Sequence, residues 1–312
     1  MYDVIIIGGG PAGLNAALVL GRSRRKILIF DNNDQRNLKA SEMHGYLSRD
    51  GISPGEFLRL GNEELLKYDV KKETATVTGA KKNNGNFEVT GSSGEKYNSK
   101  KILICTGIRD NIPPILGIED LYGKSVHHCP YCDGWEVRDK ALAVYSKGKP
   151  AFALSRSLKT WSNDVILCTD GFTGLSSEEK SILLSLGINI IKDKIQNLEG
   201  ENGHLKRIIF AGNNSVEREA LFFSTGQVQK SNIAGQLGCK FSRRGHIATS
   251  VKQKTSVHGV FAAGDAAKDI QFVIVAAAEG AKAGVYINIE LQEEDNYDYQ
   301  HSISAINFNN NH

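Results

Sequence analysis

Hydrophobic and polar positions along the first thirty residues follow the pattern of a buried strand, a helix and a second strand. The run Val4–Ile7 is entirely apolar, which is typical of a strand buried on both faces of a parallel sheet. Glycines follow it, and an Ala- and Leu-rich stretch then predicts a helix that extends to about Leu20. Residues 26–30 supply a second strand. Residues 1–31 are therefore predicted to form one strand–helix–strand unit of a doubly wound sheet.

The pattern after residue 70 changes to short strands and then breaks. β-Rich segments in residues 70–104 are separated by turn residues at 83–86 and 92–94, which predicts a β-meander. Pro113-Pro114 is a stiff break after this meander. A second strand–helix–strand pattern begins at residues 141–145, so the chain is predicted to contain a second unit of the same type.

Glycines occupy the three positions of a dinucleotide-binding fingerprint, directly after the first predicted strand. Gly8 permits a tight turn, Gly10 lets a pyrophosphate approach the backbone, and Gly13 lets the helix pack on the strand. The acidic residue at the end of the second strand is placed to accept hydrogen bonds from an adenosine ribose. The alternative is a glycine-rich turn without a ligand. The residues expected to line a dinucleotide at this turn are Gly8, Gly10, Pro11, Ala12, Gly13 and Asp31.

A second cofactor motif lies late in the chain. Residues 259–265 form an apolar strand that ends in Gly264-Asp265, and an Ala-rich helix follows. At this motif the chain resembles flavoproteins with two dinucleotide-binding folds, in which the Asp of the motif hydrogen-bonds the ribityl chain of FAD. Thr106 and Gly107 are similar to that family's Ala-Thr-Gly turn. The resemblance therefore implies FAD as the cofactor.

These motifs predict the fold class and the order of the domains. We expect an α/β protein with two Rossmann-like, three-layer dinucleotide-binding domains, the second inserted into the first. The first domain is predicted to comprise residues 1–114 and 243–312, and the inserted domain residues 115–242. The tail from Gln292 has several Asn and Asp residues and little apolar content, so it is predicted to be solvated or frayed.

Length, charge and cysteine content narrow the function classes. The 312 residues are enough for two domains. A balance of 38 Lys and Arg against 35 Asp and Glu favours neither nucleic acid nor a membrane surface as the partner. No apolar run approaches the ~20 residues that span a bilayer, and we expect a cytoplasmic protein. Five cysteines are few and odd in number for a secreted disulfide scaffold, so a close pair is expected to be catalytic or metal-binding.

The segment His127–Gly134 contains one Cys-x-x-Cys pair, Cys129 and Cys132. Two cysteines at this spacing can form a bridge, and a helix N-terminus at the first of them would favour the thiolate that attacks disulfides. A zinc site would need four ligands, and no second Cys-x-x-Cys in the sequence completes one. A structural pair of buried thiols is the other alternative.

With this pair between the two cofactor motifs, residues 1–291 resemble the low-molecular-weight thioredoxin reductases, as a divergent branch with Cys-Pro-Tyr-Cys. The resemblance implies that Cys132 lies against the flavin, that Cys129 exchanges with an external disulfide and that Asp133 acts as the acid. Thiolate chemistry also requires proton transfer near the sulfurs. His128 is a candidate base, and a packed or hydrogen-bonding histidine is the alternative.

Further FAD contacts are expected only from position in that family. The main segment is the loop after the ribose acid, and a loop that is merely polar is the alternative interpretation. These additional candidates are Arg36, Asn37, His44, Val77, Phe272 and Val273.

The chain departs from these reductases in its second nucleotide motif. Ser146 replaces the first glycine, and only Gly148 and Ala151 remain in place. Asp170 ends the following strand, where the reductases carry basic residues for the 2′-phosphate of NADPH. NADPH is therefore disfavoured relative to NADH or to no nicotinamide at all. The family's Arg-Gln-Ala after the Gly-Asp motif corresponds in this chain to residues 271–273.

Three functions are compatible with these residues. The first is a thioredoxin-reductase-like enzyme that passes electrons from FAD through Cys129 and Cys132 to a thioredoxin-like protein or a small disulfide. The second runs the same chemistry backwards, as an NADPH-independent dithiol oxidase that uses oxygen. The third is a non-catalytic flavin redox sensor. The resemblance further implies a homodimer.

Overall fold

The structure, a computed structural model, describes the backbone of residues 1–309 and the side chains of residues 1–297. The chain folds into two compact units. The first unit comprises Met1–Arg36, Gly55–Arg109 and the chain from Gln229 onward. The second unit comprises Asn37–Pro54 and Asp110–Val228.

These bounds differ from the predicted domain boundaries at residues 114–115 and 242–243. The Pro113-Pro114 break lies inside the second unit, where Ile115 just beyond it is buried in the core. Residues after 229 already belong to the first unit, because Ile233 and Ala234 pack into its core. Burial of side chains, rather than chain stiffness, therefore decides where each unit begins and ends.

Strands and helices alternate in parts of the chain, and two runs of consecutive strands, β3 to β7 and β11 to β16, interrupt the alternation. The strands are, in order, β1 Tyr2–Ile7, β2 Ile27–Phe30, β3 Val70–Glu73, β4 Val77–Asn83, β5 Asn86–Gly91, β6 Lys96–Ile104, β7 Ile108–Asp110, β8 Val126–His127, β9 Leu142–Ser146, β10 Val165–Cys168, β11 Asn189–Ile191, β12 Ile195–Glu201, β13 His204–Phe210, β14 Ser215–Glu217, β15 Ala220–Ser224, β16 Gln227–Gln229 and β17 Val260–Ala262. The helices are α1 Pro11–Arg22, α2 Pro54–Leu65, α3 Ile118–Leu121, α4 Pro130–Asp133, α5 Gly148–Leu158, α6 Ser177–Ser185, α7 Ile233–Gln236, α8 Val273–Asn309 and a 3-10 helix at Gly264–Ala266. Among the described residues, no helix is long and apolar enough to cross a bilayer.

The main sheet of the first unit has the strand order β3-β2-β1-β6-β5-β4, and β17 pairs with the end of β6. β1, β2, β3, β6 and β17 run parallel, whereas β4, β5 and the start of β6 form the predicted antiparallel meander. The apolar run of β1 pairs on both sides, for example through Ile5 with Leu28 and Ile102. A strand buried on both faces needs apolar side chains throughout, which explains this uninterrupted run.

Each face of the parallel strands carries its own hydrophobic core. On one face, apolar residues of α1 and α8 pack against β1 and β2, with Leu20 and Ile287 fully buried. On the other face, the strands pack with Val89 of the meander and with Ile233 of α7. The layered α/β architecture of this unit therefore agrees with the prediction.

The second unit repeats the parallel arrangement with five strands in the order β11-β10-β9-β15-β8. One core lies between these strands and α5, and it contains Leu158 and Phe222. The other core, which contains Phe223, includes the antiparallel strands β12 and β13. Two parallel α/β sheets confirm the predicted fold class.

The last helix of the first unit continues past Gln292, where the sequence predicted a solvated or frayed tail. The side chains of residues 292–297 are mostly exposed, so this part of the tail is solvated as predicted, but it is helical. Lys101 of β6 is only 2% exposed and forms an ion pair with Glu294 of α8. Arg25 Nη1 lies 2.7 Å from Asp295 Oδ2 and holds the pKa of this carboxyl below its ordinary value. Opposite charges on β6 and at the end of α1 therefore stabilise a polar segment as a helix.

The two long helices of the first unit approach each other at a glycine. A Cβ atom on Gly280 of α8 would lie 1.9 Å from the carbonyl oxygen of Ala12 in α1, closer than any real contact. A Cβ on Gly284, one turn later, would lie 3.1 Å from the carbonyl oxygen of Ala16. The absence of a side chain at Gly280 therefore sets the distance between α1 and α8.

We predict that Gly280→Ala destabilises the protein, although alanine is the better helix former. The added methyl group must displace backbone, so we expect a loss of roughly 1–3 kcal/mol in the free energy of unfolding. Urea denaturation followed by circular dichroism measures this loss. The control is Gly55→Ala in α2, where a Cβ meets nothing within 4 Å. A Gly280→Ala protein as stable as the control would contradict the close approach.

Candidate functional site

The turn after β1 is built from close backbone contacts. Gly8 has φ +115°, and its N–H donates to the carbonyl of Phe30 at 2.8 Å. A Cβ on Gly8 would lie 2.1 Å from the carbonyl oxygen of Cys105, and one on Gly13 would lie 1.9 Å from that of Gly8. Only glycine fits at either position, so the turn is as tight as the fingerprint predicts.

The start of α1 is open, unlike the turn that precedes it. Gly10 is the N-cap residue and offers no side chain to the first N–H groups of the helix, and Pro11 is the first helical residue. A Cβ on Gly10 would meet only Gln35 Cγ, at 3.8 Å. The N–H groups that follow, beginning with Ala12, belong to the first helical turn and lack intrahelical acceptors. This is the geometry that a helix N-terminus offers to a phosphate.

Asp31 lies beside this turn at the end of β2, and its side chain is buried. Its Oδ1 accepts hydrogen bonds from the Asn33 N–H at 3.0 Å and from Gln35 Nε2 at 2.8 Å. Lys72 Nζ of β3 lies 2.8 Å from Oδ2. The sequence pattern missed Lys72, which the parallel pairing of Phe30 with Glu73 brings to the same edge. The carboxylate is therefore held in place as a hydrogen-bond acceptor.

The loop after β6 borders the same turn. Cys105 N–H donates to the carbonyl of Ile7, and Gly107 has φ +65° with no atom within 4 Å of an added Cβ. Thr106 Oγ1 is buried and has no hydrogen-bond partner among the described residues. A buried hydroxyl without a partner is costly. This loop thus carries an unmet polar atom next to the glycine turn.

The Gly-Asp motif lies in the 3-10 helix that precedes α8. Arg36 Nη1 lies 3.5 Å from Asp265 Oδ2 and donates to Gln271 Oε1 at 2.7 Å. Gln271 Nε2 is buried without a hydrogen-bond partner among the described residues. Gly264 has φ +74°, and a Cβ there would lie 3.0 Å from Ala12 Cβ. Arg36 thus contacts residues 271–273, the segment in which the thioredoxin reductases carry an arginine and this chain does not.

The remaining cofactor candidates occupy different places. Phe272 is half-buried, and its carbonyl accepts from Ala276 N–H at the start of α8, where Val273 is the first helical residue. Val77 is buried in the core of the first unit, at the start of β4. Asn37 and His44 belong to the second unit. The family-position candidates therefore divide between the two units, whereas the glycine-motif candidates share one turn.

In the second unit, Cys129 and Cys132 form a disulfide with a Cα–Cα distance of 5.3 Å. Cys129 is the N-cap residue of the short helix α4, and Pro130 is its first residue. The N–H of Cys132 donates to the carbonyl of Cys129 at 3.2 Å. Tyr131, between the two cysteines, is 69% exposed, and its ring edge meets Trp161. The two cysteines are half-buried and lie beside this exposed ring.

Two histidine–carboxylate contacts flank this disulfide. His127 Nδ1 lies 3.2 Å from Asp133 Oδ1, and His127 is 5% exposed. His128 Nδ1 lies 3.8 Å from Asp110 Oδ2, which also accepts a hydrogen bond from the Tyr122 hydroxyl at 2.8 Å. The sequence predicted a role for His128 but none for His127 beside the acid. The residue before His127 is the apolar Val126, and this was the sequence signal for a strand with an enclosed histidine. In the structure Val126 is buried.

The second dinucleotide-type turn, between β9 and α5, is closed by its own chain. The N–H of Gly148 donates to the carbonyl of Thr173 at 2.7 Å, and a Cβ on Gly174 would lie 3.1 Å from Gly148 Cα. Lys147 Nζ donates to the carbonyl of Asp170 at 3.1 Å. Residues of the loop after β10 therefore contact the helix start where a phosphate would need free N–H groups.

The other three cysteines are buried and form no disulfide. Burial raises the pKa of Cys168 to about 12, and it also raises the pKa of Cys105 and of Cys239. Among the described residues, no group of three or more His, Cys, Asp or Glu side chains is arranged to hold a metal ion.

We predict that the oxidised protein has no rapidly reacting thiol at neutral pH, because a buried thiol with a raised pKa supplies almost no thiolate. Reduction should expose two reactive thiols, Cys129 and Cys132. Titration of the native protein with an aromatic disulfide reagent, before and after reduction, counts them. The Cys129→Ser variant should show one reactive thiol in both states. A fast thiol in the oxidised wild type would contradict the burial of the other three.

Comparisons with known proteins agree with this arrangement. The family model described as "Pyridine nucleotide-disulphide oxidoreductase" matches residues 2–280. The thioredoxin reductase tcpT of Claviceps purpurea is 30% identical over 93% of this chain and 94% of its own. A solved structure described as the putative thioredoxin reductase TrxB of Bacillus anthracis is 35% identical, covers 95% of this chain and 100% of its own, and has a TM-score of 0.90.

The crystal structure of HlmI is also similar, with 31% identity, coverage of 97% of this chain and 96% of its own, and a TM-score of 0.93. The family match covers both the glycine turn of the first unit and the disulfide of the second. The chain therefore belongs to the pyridine nucleotide-disulphide oxidoreductase family, as a thioredoxin-reductase-like enzyme whose cofactor is FAD.

Proposed function

We propose that this enzyme passes electrons between FAD and an external disulfide through Cys129 and Cys132. The observation that carries the proposal is the half-buried Cys129–Cys132 disulfide at the start of α4, with Asp133 one residue beyond it. A disulfide that served only stability would not need an adjacent acid or an incompletely buried position. The zinc alternative would need both sulfurs as thiolates, whereas in this structure they are bonded to each other.

The residues of the first unit fit FAD. The open N-terminus of α1 at Gly10 would receive the pyrophosphate, and Asp31 would accept from the adenosine ribose. Asp265, beside Arg36, would accept from the ribityl chain. The unpartnered Thr106 hydroxyl has the polarity to meet a polar atom of the cofactor. When bound, FAD supplies a two-electron exchange with a disulfide.

The chemistry at the disulfide divides among three residues. Cys132 would exchange electrons with the flavin, and Cys129 would attack the disulfide of the partner. Asp133 would give a proton to the departing sulfur, since a thiolate that is a poor leaving group needs one. His128, whose ring lies near Asp110 and Tyr122, would assist as a base in the free enzyme.

The name of tcpT supports a thioredoxin-like protein as the partner, and a small disulfide is the other candidate. Neither nucleic acid nor a membrane surface is proposed as a partner. A homodimer and a cytoplasmic location are part of the same proposal. Sedimentation of the purified holoenzyme tests the dimer, and thioredoxin reduction by the holoenzyme tests the partner.

We predict that Gly10→Ala leaves the fold intact but weakens FAD binding. The methyl group meets only Gln35 Cγ at 3.8 Å in the protein, yet it would occupy the path by which a pyrophosphate approaches α1. We expect the dissociation constant for FAD to rise at least ~10-fold, which corresponds to about 1.4 kcal/mol. Equilibrium dialysis against FAD measures it, and circular dichroism checks the fold. Unchanged affinity would place the pyrophosphate elsewhere.

A second candidate function, the NADPH-independent dithiol oxidase, is favoured by one observation. The carbonyl of Thr173 accepts a hydrogen bond from the N–H of Gly148. Asp170, at the end of the following strand, contacts the same turn through Lys147. A closed turn with a carboxylate disfavours a nicotinamide nucleotide, and NADPH most of all. In that case electrons would enter from a substrate dithiol at Cys129 and leave from reduced FAD to oxygen, which becomes hydrogen peroxide.

Anaerobic mixing of the oxidised holoenzyme with NADH, NADPH or a small dithiol distinguishes these functions. We expect the flavin absorbance to bleach with a dithiol in the wild type, because the Cys129–Cys132 disulfide relays the electrons. The Cys132→Ser variant should not bleach. Bleaching by NADH or NADPH in addition supports the reductase, and bleaching by the dithiol alone supports the oxidase. Failure of every donor would favour the redox sensor, and a fully active Cys132→Ser variant would reject the proposed site.

A further inference from the structure

His127 is an enclosed histidine next to the redox disulfide. It is the last residue of β8, and its ring lies 5.2 Å from that of Phe222, which pairs with it across the sheet. Its side chain is almost fully buried, and it precedes Cys129 by two residues. An imidazole in a parallel sheet needs partners for two ring nitrogens, unlike the apolar residues around it.

The surroundings of the two ring nitrogens differ. Nδ1 lies 3.2 Å from Asp133 Oδ1, whereas Nε2 is buried and has no hydrogen-bond partner among the described residues. A proton on Nε2 would leave a buried donor unsatisfied and would direct the lone pair of Nδ1 at a carboxylate oxygen. The neutral tautomer with its proton on Nδ1 leaves Nε2 as a buried acceptor without a partner, but it places a donor, and not a lone pair, 3.2 Å from Asp133 Oδ1. This distance makes His127 the candidate donor and Asp133 Oδ1 the candidate acceptor.

We propose that His127 is the positioning residue that orients Asp133 for proton transfer during disulfide exchange. This inference rests on the proposed function, in which Asp133 is the acid. With Oδ1 engaged by His127, Oδ2 is the carboxyl oxygen that carries the mobile proton. The carboxyl group would otherwise rotate about a soft torsion and present either oxygen.

The exchange is balanced as two displacements. The Cys129 thiolate bonds to one sulfur of the partner disulfide, the partner's S–S bond breaks, and the departing sulfur takes the proton from Asp133 Oδ2. Cys132 then gives its thiol proton to Oδ2, its sulfur bonds to that of Cys129, and the second partner sulfur leaves as a thiolate. Two electrons pass from the dithiol to the partner, and Asp133 ends protonated as it began.

The test compares leaving groups of different acidity. An aromatic disulfide, 5,5′-dithiobis(2-nitrobenzoate), releases a stable thiolate that needs no proton, whereas bis(2-hydroxyethyl) disulfide releases a basic alkyl thiolate. Single-turnover oxidation of the anaerobically reduced holoenzyme is measured with each. We expect Asp133→Asn to slow the alkyl reaction roughly 100-fold and His127→Phe to slow it roughly 10-fold, with little change in the aromatic reaction.

Further variants separate positioning from packing. His127→Phe keeps a ring against Phe222 but loses the donor, whereas His127→Asn keeps an N–H near the position of Nδ1 and should restore most of the alkyl rate. His127→Phe should cost nothing more in an Asp133→Asn background, because the two residues act as one unit. The control is His246→Phe, which replaces another buried histidine with an unpartnered Nε2 and should leave the ratio of alkyl to aromatic rates unchanged.

Each failure points to a different error. If Asp133→Asn keeps the full alkyl rate, the acid of the proposed function is wrong, and the role of His127 is rejected with it. If Asp133→Asn is slow while His127→Phe reacts like the wild type, or slows both disulfides equally, the positioning role alone is overturned. Should His127→Phe fail to fold, His127→Leu, which also removes the donor, still decides when it is combined with Asp133→Asn: a loss that multiplies in the double variant contradicts the proposal.

Discussion

Three contacts between glycines and carbonyl oxygens fix the centre of the first unit. Gly8 lies against Cys105, Gly13 against Gly8, and Gly280 against Ala12, and none of these places has room for a methyl group. Together they set the position of α1 relative to β1, to the loop after β6 and to α8. The N–H groups at the start of α1 are consequently held at the edge where the parallel strands end, so the proposed cofactor site depends on backbone packing more than on particular side chains.

The second unit repeats this topology and uses it differently. Its corresponding turn also joins a buried strand to a helix, but the first glycine is replaced by Ser146, whose hydroxyl donates to the carbonyl of Ser224 at 2.8 Å. The carbonyl of Thr173 accepts a hydrogen bond from the N–H of Gly148. The first N–H of the helix is thereby satisfied within the chain. In this unit the proposed reactive groups lie after another strand end, at the disulfide after β8.

The sequence predicted the features that depend on local chemistry. Apolar runs identified β1 and β2, and the fingerprint located Gly8 and Gly13 because only glycine tolerates those backbone positions. The cysteine spacing likewise located the disulfide. Each of these features depends on a few neighbouring residues, so a single sequence is enough to recognise it.

Features that depend on distant pairing escaped prediction. Lys72 reaches Asp31 only because β3 pairs with β2. His127 meets Asp133 across the bend at residue 128, between β8 and α4. The tail from Gln292 is solvated, as its polar composition predicted, but its helix and the ion pair of Glu294 with Lys101 were not predicted. No local pattern encodes such partners.

The ion pair of Lys101 has a consequence for how the first unit responds to its solvent. Dissolved salt weakens attraction between exposed charges, such as Arg59 and Glu63 on α2. It acts much less on the Lys101 ammonium group, which is 2% accessible and also lies 3.7 Å from the buried carboxylate of Glu290 on α8. The anchor of the terminal helix should hold across a wide range of ionic strength. Any effect of added electrolyte on the enzyme would then come from its exposed charges, and not from a weaker contact between Lys101 and α8.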